Sequence, residues 1–246
     1  MTVTINRPPV NALTRTTYAE ITRAFAQVSG REDVRVVVLT AVGSRAFSAG
    51  VDLNEVATDS LSAPIGQRLD KGLPIRDALR AIGDCAVPVI CAVNGPALGA
   101  GFGLVSMCDI IVAADNATFG FTEINVGLLG GISHLTSMVG RYRARHLYLT
   151  GARVSASELM EWGVVSKVVP GPALMDAAMT LADELAAKSP LATRLAKEAM
   201  NRVEGLSAME GYQIEQDYTY RLNAFDDARE ARAAFAERRT PRWTLR

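Results

Sequence analysis

Two glycine-rich turns, each set after an apolar run rich in β-branched residues, constrain this chain more than any other feature. The first, Ala46-Phe47-Ser48-Ala49-Gly50-Val51-Asp52-Leu53, follows the run 36–39. The second, Asn94-Gly95-Pro96-Ala97-Leu98-Gly99-Ala100-Gly101, follows the run 89–93. Such runs lack clean polar alternation, as strands of a sheet covered on both faces do. Glycine at the strand ends permits tight turns and close approach of a ligand. One isolated acid comes later, Glu123, in Phe119-Gly120-Phe121-Thr122-Glu123-Ile124. Two turns able to aim backbone N–H groups at one point, plus a carboxylate, suit a carbonyl whose oxygen becomes negative. An enzyme is the leading reading.

Strand formers recur at 109–113 and 164–169, and helical patterns alternate with them, which argues for α/β architecture. Leu13, Tyr18, Ile21 and Phe25 recur at helical spacing, with Asn11 or Thr14 as the cap. Residues 75–82 form an amphipathic run, and 101–107 a short helix of small and apolar side chains. The segment 54–72 mixes Ser, Ala, Pro, Gly and charges; it reads as a mobile lid beside the first turn, or as a variable surface loop. After Pro170 strand formers thin out and helical patterns cover 174–187, 191–203, 206–222 and 225–238, with Ser189-Pro190 as a break. The expected organisation is an α/β core over 1–170 and a helical region over 171–246, packed on the core or exchanged with a neighbouring subunit. Trp243, near the end, is expected to dock.

A chain of 246 residues can build one large α/β core. Its 26 basic and 26 acidic residues cancel, and no basic stripe with interleaved aromatics is present, so no nucleic-acid partner is expected. The apolar stretch 89–107 is broken by Asn94, Pro96 and glycines, which disfavours a membrane span. Met1 leads directly into Val3-Thr4-Ile5 with no leader pattern, so the cytoplasm is the default location. Cys85, Cys91 and Cys108 sit among apolar residues and read as core thiols. No cluster suggests a metal.

Glu123 has two readings. Flanked by Phe119, Phe121, Ile124 and Val126, it could ionise with difficulty and carry a proton near neutral pH. Equally, it could cap a backbone turn or pair an arginine. His134, after an apolar glycine turn, could line a pocket or pack in the core; His146 reads as structural. Ser48 and Ser133 have no evident histidine–acid relay and no Gly-x-Ser-x-Gly elbow, which disfavours a covalent serine hydrolase. The glycines at 99, 101 and 103 lack the spacing of a nucleotide-binding fingerprint.

Together, Ile5-Asn6-Arg7-Pro8, Asn11-Ala12-Leu13, both glycine turns, Cys108-Asp109, the stretch 119–123, Leu149-Thr150-Gly151 with 156–169, Glu215 and Asp227-Ala228-Arg229-Glu230 resemble the enoyl-CoA hydratase/isomerase (crotonase) superfamily along almost the whole chain. The resemblance implies a crotonase-like (ClpP/crotonase) β-β-α superhelix with a helical C-terminal trimerisation region. It implies an acyl-CoA thioester substrate and a homotrimer or dimer of trimers; coenzyme A arrives as part of the substrate, and no separate cofactor is expected. The enolate oxygen would be held by the backbone N–H groups of Val51 and Ala100. The substrate would contact Ala49, Gly50, Asp52, Leu53 and Gly99, with the adenine end of coenzyme A against residues 49, 52 and 53. Glu123 would exchange the proton.

Two departures matter. Typical hydratases carry a second glutamate in the helix after the second turn, where this chain has Gly103. A single-glutamate hydratase is the leading expectation, with a Δ3-Δ2 isomerase, hydrolase, decarboxylase or non-enzymatic acyl-CoA-binding subunit as alternatives. The segment 127–134 is also shorter than the family's usual loop, which reshapes the acyl pocket and brings in His134 as a polar contact. The strand that such chains carry ahead of Ile5 is missing, so the first strand is expected to be weakened at the sheet edge.

Overall fold

The valine- and isoleucine-rich runs pair side by side. The computed structural model describes residues 1–57 and 72–245. Strands β1 (Thr2–Ile5), β2 (Val37–Ala41) and β3 (Val89–Val93) are followed by β4 (Ala97–Leu98), β5 (Ile110–Ala114), β6 (Thr118–Gly120), β7 (Val154–Ser155) and β8 (Lys167–Val169). The main sheet is parallel, in the order β1-β2-β3-β5-β8. A smaller sheet runs β4-β6-β7, parallel across β4 and β6 and antiparallel across β6 and β7.

Both faces of the main sheet are covered, which is why its strands are apolar at consecutive positions. Val37, Leu39, Val89, Cys91 and Val93 face one core, while Val36, Val38, Ile90 and Ala92 face another. Helices α1 (Arg15–Ser29), α2 (Leu53–Ala57) and α3 (Leu73–Gly83) come from the first half of the chain. Tyr18, Ile21 and Phe25 of α1, and Ala78 and Ile82 of α3, fill the first core. Four short helices follow: α4 (Ala100–Ser106), α5 (Ile132–Val139), α6 (Arg141–Thr150) and α7 (Ala156–Glu161). The opposite face is closed by α8 (Leu174–Ala186), whose Leu174, Ala178 and Ala182 pack on the sheet. The first helix of the region after residue 171 thus packs on the core and completes the sheet's second face.

The remaining helices are α9 (Pro190–Val203), α10 (Ala208–Asn223) and α11 (Asp226–Glu237). Ser189 caps α9 through Ala192 N, with Pro190 at the first helical position, where its missing N–H costs nothing. A capping box of Ser207 and Glu210 starts α10. Lys197 ties α9 to the core: its Nζ is 2.7 Å from Asp109 Oδ2 and 3.3 Å from Val87 O. The chain end also docks, with Trp243 Nε1 donating to Ala187 O at 3.1 Å. Buried Asp227 accepts from Thr244 N and Leu245 N. Among the described residues no helix is long and apolar enough to cross a membrane.

The structure chooses between the two cap candidates and shortens the last strand. Thr14, not Asn11, caps α1, accepting from Thr17 N. Asn11 instead adopts φ 51° and is buried. The last strand begins at 167 rather than 164, because Val164 N and Val165 N turn back to Leu159 O, and pairing with β5 starts only with Ser166 N on Ile111 O. β1 lies at the sheet edge and pairs with β2 over four residues, Thr2↔Val38 to Ile5↔Ala41. The expected lid, 54–72, lies outside the described residues except for its two ends.

Candidate active site

The first glycine turn is clamped from both sides. Ser48 N donates to Pro96 O and Leu98 N to Ser48 O on one side. On the other, Ala49 N donates to Val10 O, Leu13 N to Gly50 O, and Asp52 N to Leu13 O. Because Leu13 takes up the carbonyl of 50 and the amide of 52, the N–H and C=O of Val51 point away from it. Asn11 supports the turn from beneath: its Nδ2 donates to Val42 O and Ala46 O, and its own carbonyl accepts from Ser48 Oγ.

Gly50, at φ 93°, brings the two turns into contact. A β-carbon there would sit 2.9 Å from Leu98 O and 3.5 Å from Ala100 N. Ala100 opens α4, so its N–H has no acceptor within the helix. Pairing of β4 with β6, continued by Gly99 N on Gly120 O, carries Glu123 to the second turn. A β-carbon at Gly99 would lie 2.9 Å from Glu123 Oε1, and one at Gly130 3.9 Å from it. The structure thus gathers Gly50, Val51, Gly99, Ala100 and Glu123, which lie far apart in sequence, at one place.

The Glu123 carboxylate is partly buried, and its Oε2 has no hydrogen-bond partner among the described residues. Burial raises its pKa above the usual carboxylate value. The shielding differs from what sequence neighbours suggest. Phe119 and Phe121 are buried and pack on Phe102, but Ile124 and Val126 are exposed. Glu123 begins a 3₁₀ turn (Glu123–Val126), which swings those two side chains outward; Ile124 lines a separate apolar groove with Leu129 and Ile132. Among the described residues no arginine acts on the Glu123 carboxylate, and the bond from its own backbone N–H offsets burial only in part. The second carboxylate position holds Gly103, buried, where a β-carbon would make ordinary contact with Leu79 Cδ2 at 3.6 Å.

The other expected residues are placed as follows. Asp52 has its Oδ2 2.6 Å from Arg7 Nη2, and its Oδ1 accepts from Asn54 N at 2.9 Å. The bond to Asn54 N, followed by Arg7, lowers its pKa. Its carboxylate fixes the turn and starts α2. Ala49 and Leu53 are exposed beside it. His134 lies on α5, its pKa lowered by burial and partly restored by Glu204 at the far end of α9. The carboxylate acting on His134 is therefore Glu204 rather than Glu123. His146 is exposed on α6.

One residue escaped the sequence reading. Tyr18 occupies a core position of α1 and is 3% exposed, yet its hydroxyl is buried with no partner among the described residues. It lines a cavity of about 90 Å³ together with Val51, Asp52, Glu55, Val56 and Ile75. Helical spacing marks Tyr18 only as inward-facing, and a phenol hydroxyl among apolar core positions was the available signal.

The enoyl-CoA hydratase/isomerase family model matches residues 1–246. A (7aS)-7a-methyl-1,5-dioxo-2,3,5,6,7,7a-hexahydro-1H-indene-carboxyl-CoA hydrolase of Rhodococcus jostii is 40% identical over 98% of this chain and 92% of its own. A probable enoyl-CoA hydratase of Mycobacterium bovis is 36% identical, covering 99% and 94%. The crystal structure of an enoyl-CoA hydratase from Bacillus anthracis superposes with a TM-score of 0.92 at 34% identity, covering 98% of this chain and 94% of that one. The crotonase-like β-β-α fold is thereby shown, and the chain belongs to the enoyl-CoA hydratase/isomerase family.

Proposed function

We propose that this protein hydrates the α,β double bond of an enoyl-CoA thioester with a single glutamate. The observation that carries the proposal is the contact between the two turns at Gly50, with the unpartnered Glu123 carboxylate against Gly99. The thioester oxygen sits between the Val51 and Ala100 N–H groups, which require no reorganisation as charge develops. The acyl group points towards Glu123, and the adenine end of coenzyme A lies along the exposed turn at Ala49 and Leu53. Glu123 takes a proton from water as the oxygen bonds to C3, and the C2–C3 electron pair moves onto the thioester oxygen. The same carboxyl then returns the proton to C2, so the net change is one water added. Burial suits it to both steps, because the raised pKa brings its acid and base forms closer in energy near neutral pH.

A second reading has specific support. Gly103 leaves no second carboxylate to orient water, and the Rhodococcus relative is named a hydrolase of a cyclic dioxo acyl-CoA. In that reading Glu123 would take a proton from water as its oxygen adds to a ketone carbon bonded to C2, the bond from that carbon to C2 would break to leave a carboxylic acid and a thioester enolate held by the two amides, and Glu123 would return the proton to C2. We also infer self-association through the C-terminal helices, as a trimer or a pair of trimers. Met200, Met209, Tyr212, Tyr220 and Phe235 on α9 to α11 are all exposed, an apolar surface that a partner copy would cover.

The test is turnover of crotonyl-CoA and a 3-enoyl-CoA in D₂O, followed by mass spectrometry, for the wild type and Glu123→Gln. Addition of water to crotonyl-CoA that collapses in the variant supports the hydratase. Double-bond migration without water gain assigns an isomerase. Binding of both substrates without turnover of either rejects both and favours the hydrolase reading.

A further inference from the structure

The mechanism above leaves a buried polar group unused. Tyr18 stands on α1, where it faces α2 and α3 across the cavity it shares with Val51, Glu55 and Ile75. Its hydroxyl is excluded from solvent and has no hydrogen-bond partner among the described residues. A buried hydroxyl without a partner is uncommon, because the lost hydration is not replaced. The cavity of about 90 Å³ is several times the roughly 10–15 Å³ that one water requires. It is bounded by Val51, whose amide is one of the two donors aimed at the thioester oxygen. Both Glu55 and Glu123 act electrostatically on the phenol. Tyr18 therefore shares its cavity with Val51, and the charges of both Glu55 and Glu123 reach its phenol.

The phenol stays neutral under ordinary conditions, since burial first, then the charges of Glu55 and Glu123, oppose its ionisation. A neutral phenol near two carboxylates is a hydrogen-bond donor, not a base. Among the described residues, Leu13, Val51, Val56 and Ile75 form the apolar part of the lining, and Arg15 and Asp52, the latter held by Arg7, line it beside Glu55. A hydrocarbon acyl group entering this space would keep the hydroxyl unsatisfied; an acyl group with an oxygen at the matching carbon would satisfy it.

We propose that Tyr18 is a specificity-determining residue that donates a hydrogen bond to an oxygen carried on the acyl group, so that the protein prefers oxygen-bearing acyl-CoA thioesters over plain hydrocarbon ones. The inference rests on the acyl-CoA reading above and adds the substrate class to it. A site built around a hydroxyl discriminates against ligands that leave it unpaired.

The test is equilibrium binding, which needs no turnover. Hexanoyl-CoA and its 3-oxo, 4-oxo and 5-oxo derivatives are titrated calorimetrically into the wild type and Tyr18→Phe, which keeps the ring and removes only the oxygen. The expected result is that one keto position lowers the Kd at least about tenfold relative to hexanoyl-CoA in the wild type, and that this ratio falls to about one in the variant. A merely structural role for Tyr18 would shift all four ligands together and leave the ratio in place, which overturns the inference. Wild-type binding with no preference for any keto position also overturns it, while leaving the acyl-CoA reading intact. Failure of the wild type to bind any of the four thioesters overturns both.

Discussion

The Glu123 carboxylate fills the space that the missing side chain of Gly99 leaves: a β-carbon on Gly99 would lie 2.9 Å from Glu123 Oε1 and 3.4 Å from its Cδ. The turn that presents one proposed amide donor is thus the wall against which the proton carrier rests, and the two positions cannot vary independently. Gly99 also has φ 52° and ψ −126°, a backbone region effectively open only to glycine. Gly99→Ala combines a clash with backbone strain. The expected cost is about 1–3 kcal/mol in denaturant unfolding, with a fall in kcat of about a hundredfold or more from the displaced carboxylate. A variant with unaltered kcat would show that Glu123 does not act from this position.

Glu123, the proposed proton carrier, costs stability where it is ionised. Burial raises its pKa in the folded chain above the unfolded value. Its favourable contribution is then complete below the unfolded pKa and is lost as pH rises through the folded one. Glu123→Gln removes that loss. Its Tm should exceed that of the wild type at about pH 8, with the gap closing near about pH 4. Wild-type turnover should show an acid limb above the ordinary carboxylate range, where the base becomes protonated. A limb at the ordinary value would argue against Glu123 as the base.

Lys197 tests how the C-terminal helices are held. Its side chain is 6% exposed and its ammonium meets Asp109, which also accepts from Val89 N at 2.7 Å. Lys197→Met leaves a poorly solvated carboxylate between β3 and α9, at an expected cost of about 3 kcal/mol. Adding Asp109→Asn should recover part of it, since the stranded charge is gone. Urea unfolding of both variants measures the difference; equal stability of all forms would mean the pair is solvated.

The surface of α10 and α11 carries Tyr220 at 72% and Phe235 at 88% exposure. If a second copy covers them, Tyr220→Glu with Phe235→Glu should convert the assembly to smaller species in sedimentation velocity, because burying two unpaired carboxylates costs more than association returns. An unchanged sedimentation coefficient would place the interface elsewhere.

Much of this architecture was legible without coordinates. The uninterrupted apolar character of 36–39 and 89–93 required strands covered on both faces, and the break between two C-terminal helices followed from Ser189-Pro190, since breaks act over a few residues. Glycine at 50 and 99, and a glutamate without a local partner, pointed to the site. Tertiary structure decided the rest. Only sheet pairing could bring Glu123 to Gly99 and Gly50 to Leu98, because those contacts bridge segments that local pattern leaves independent. Sequence neighbours misstated the shielding of Glu123, as a 3₁₀ turn sends Ile124 and Val126 to the surface. Asn11 and Thr14 were equal cap candidates, yet only Thr14 caps, while Asn11 holds the Val42 and Ala46 carbonyls from across the fold. Tyr18 read as one more inward position of α1. Periodicity records which way a side chain faces, whereas the presence of a hydrogen-bond partner depends on what the rest of the chain places opposite it.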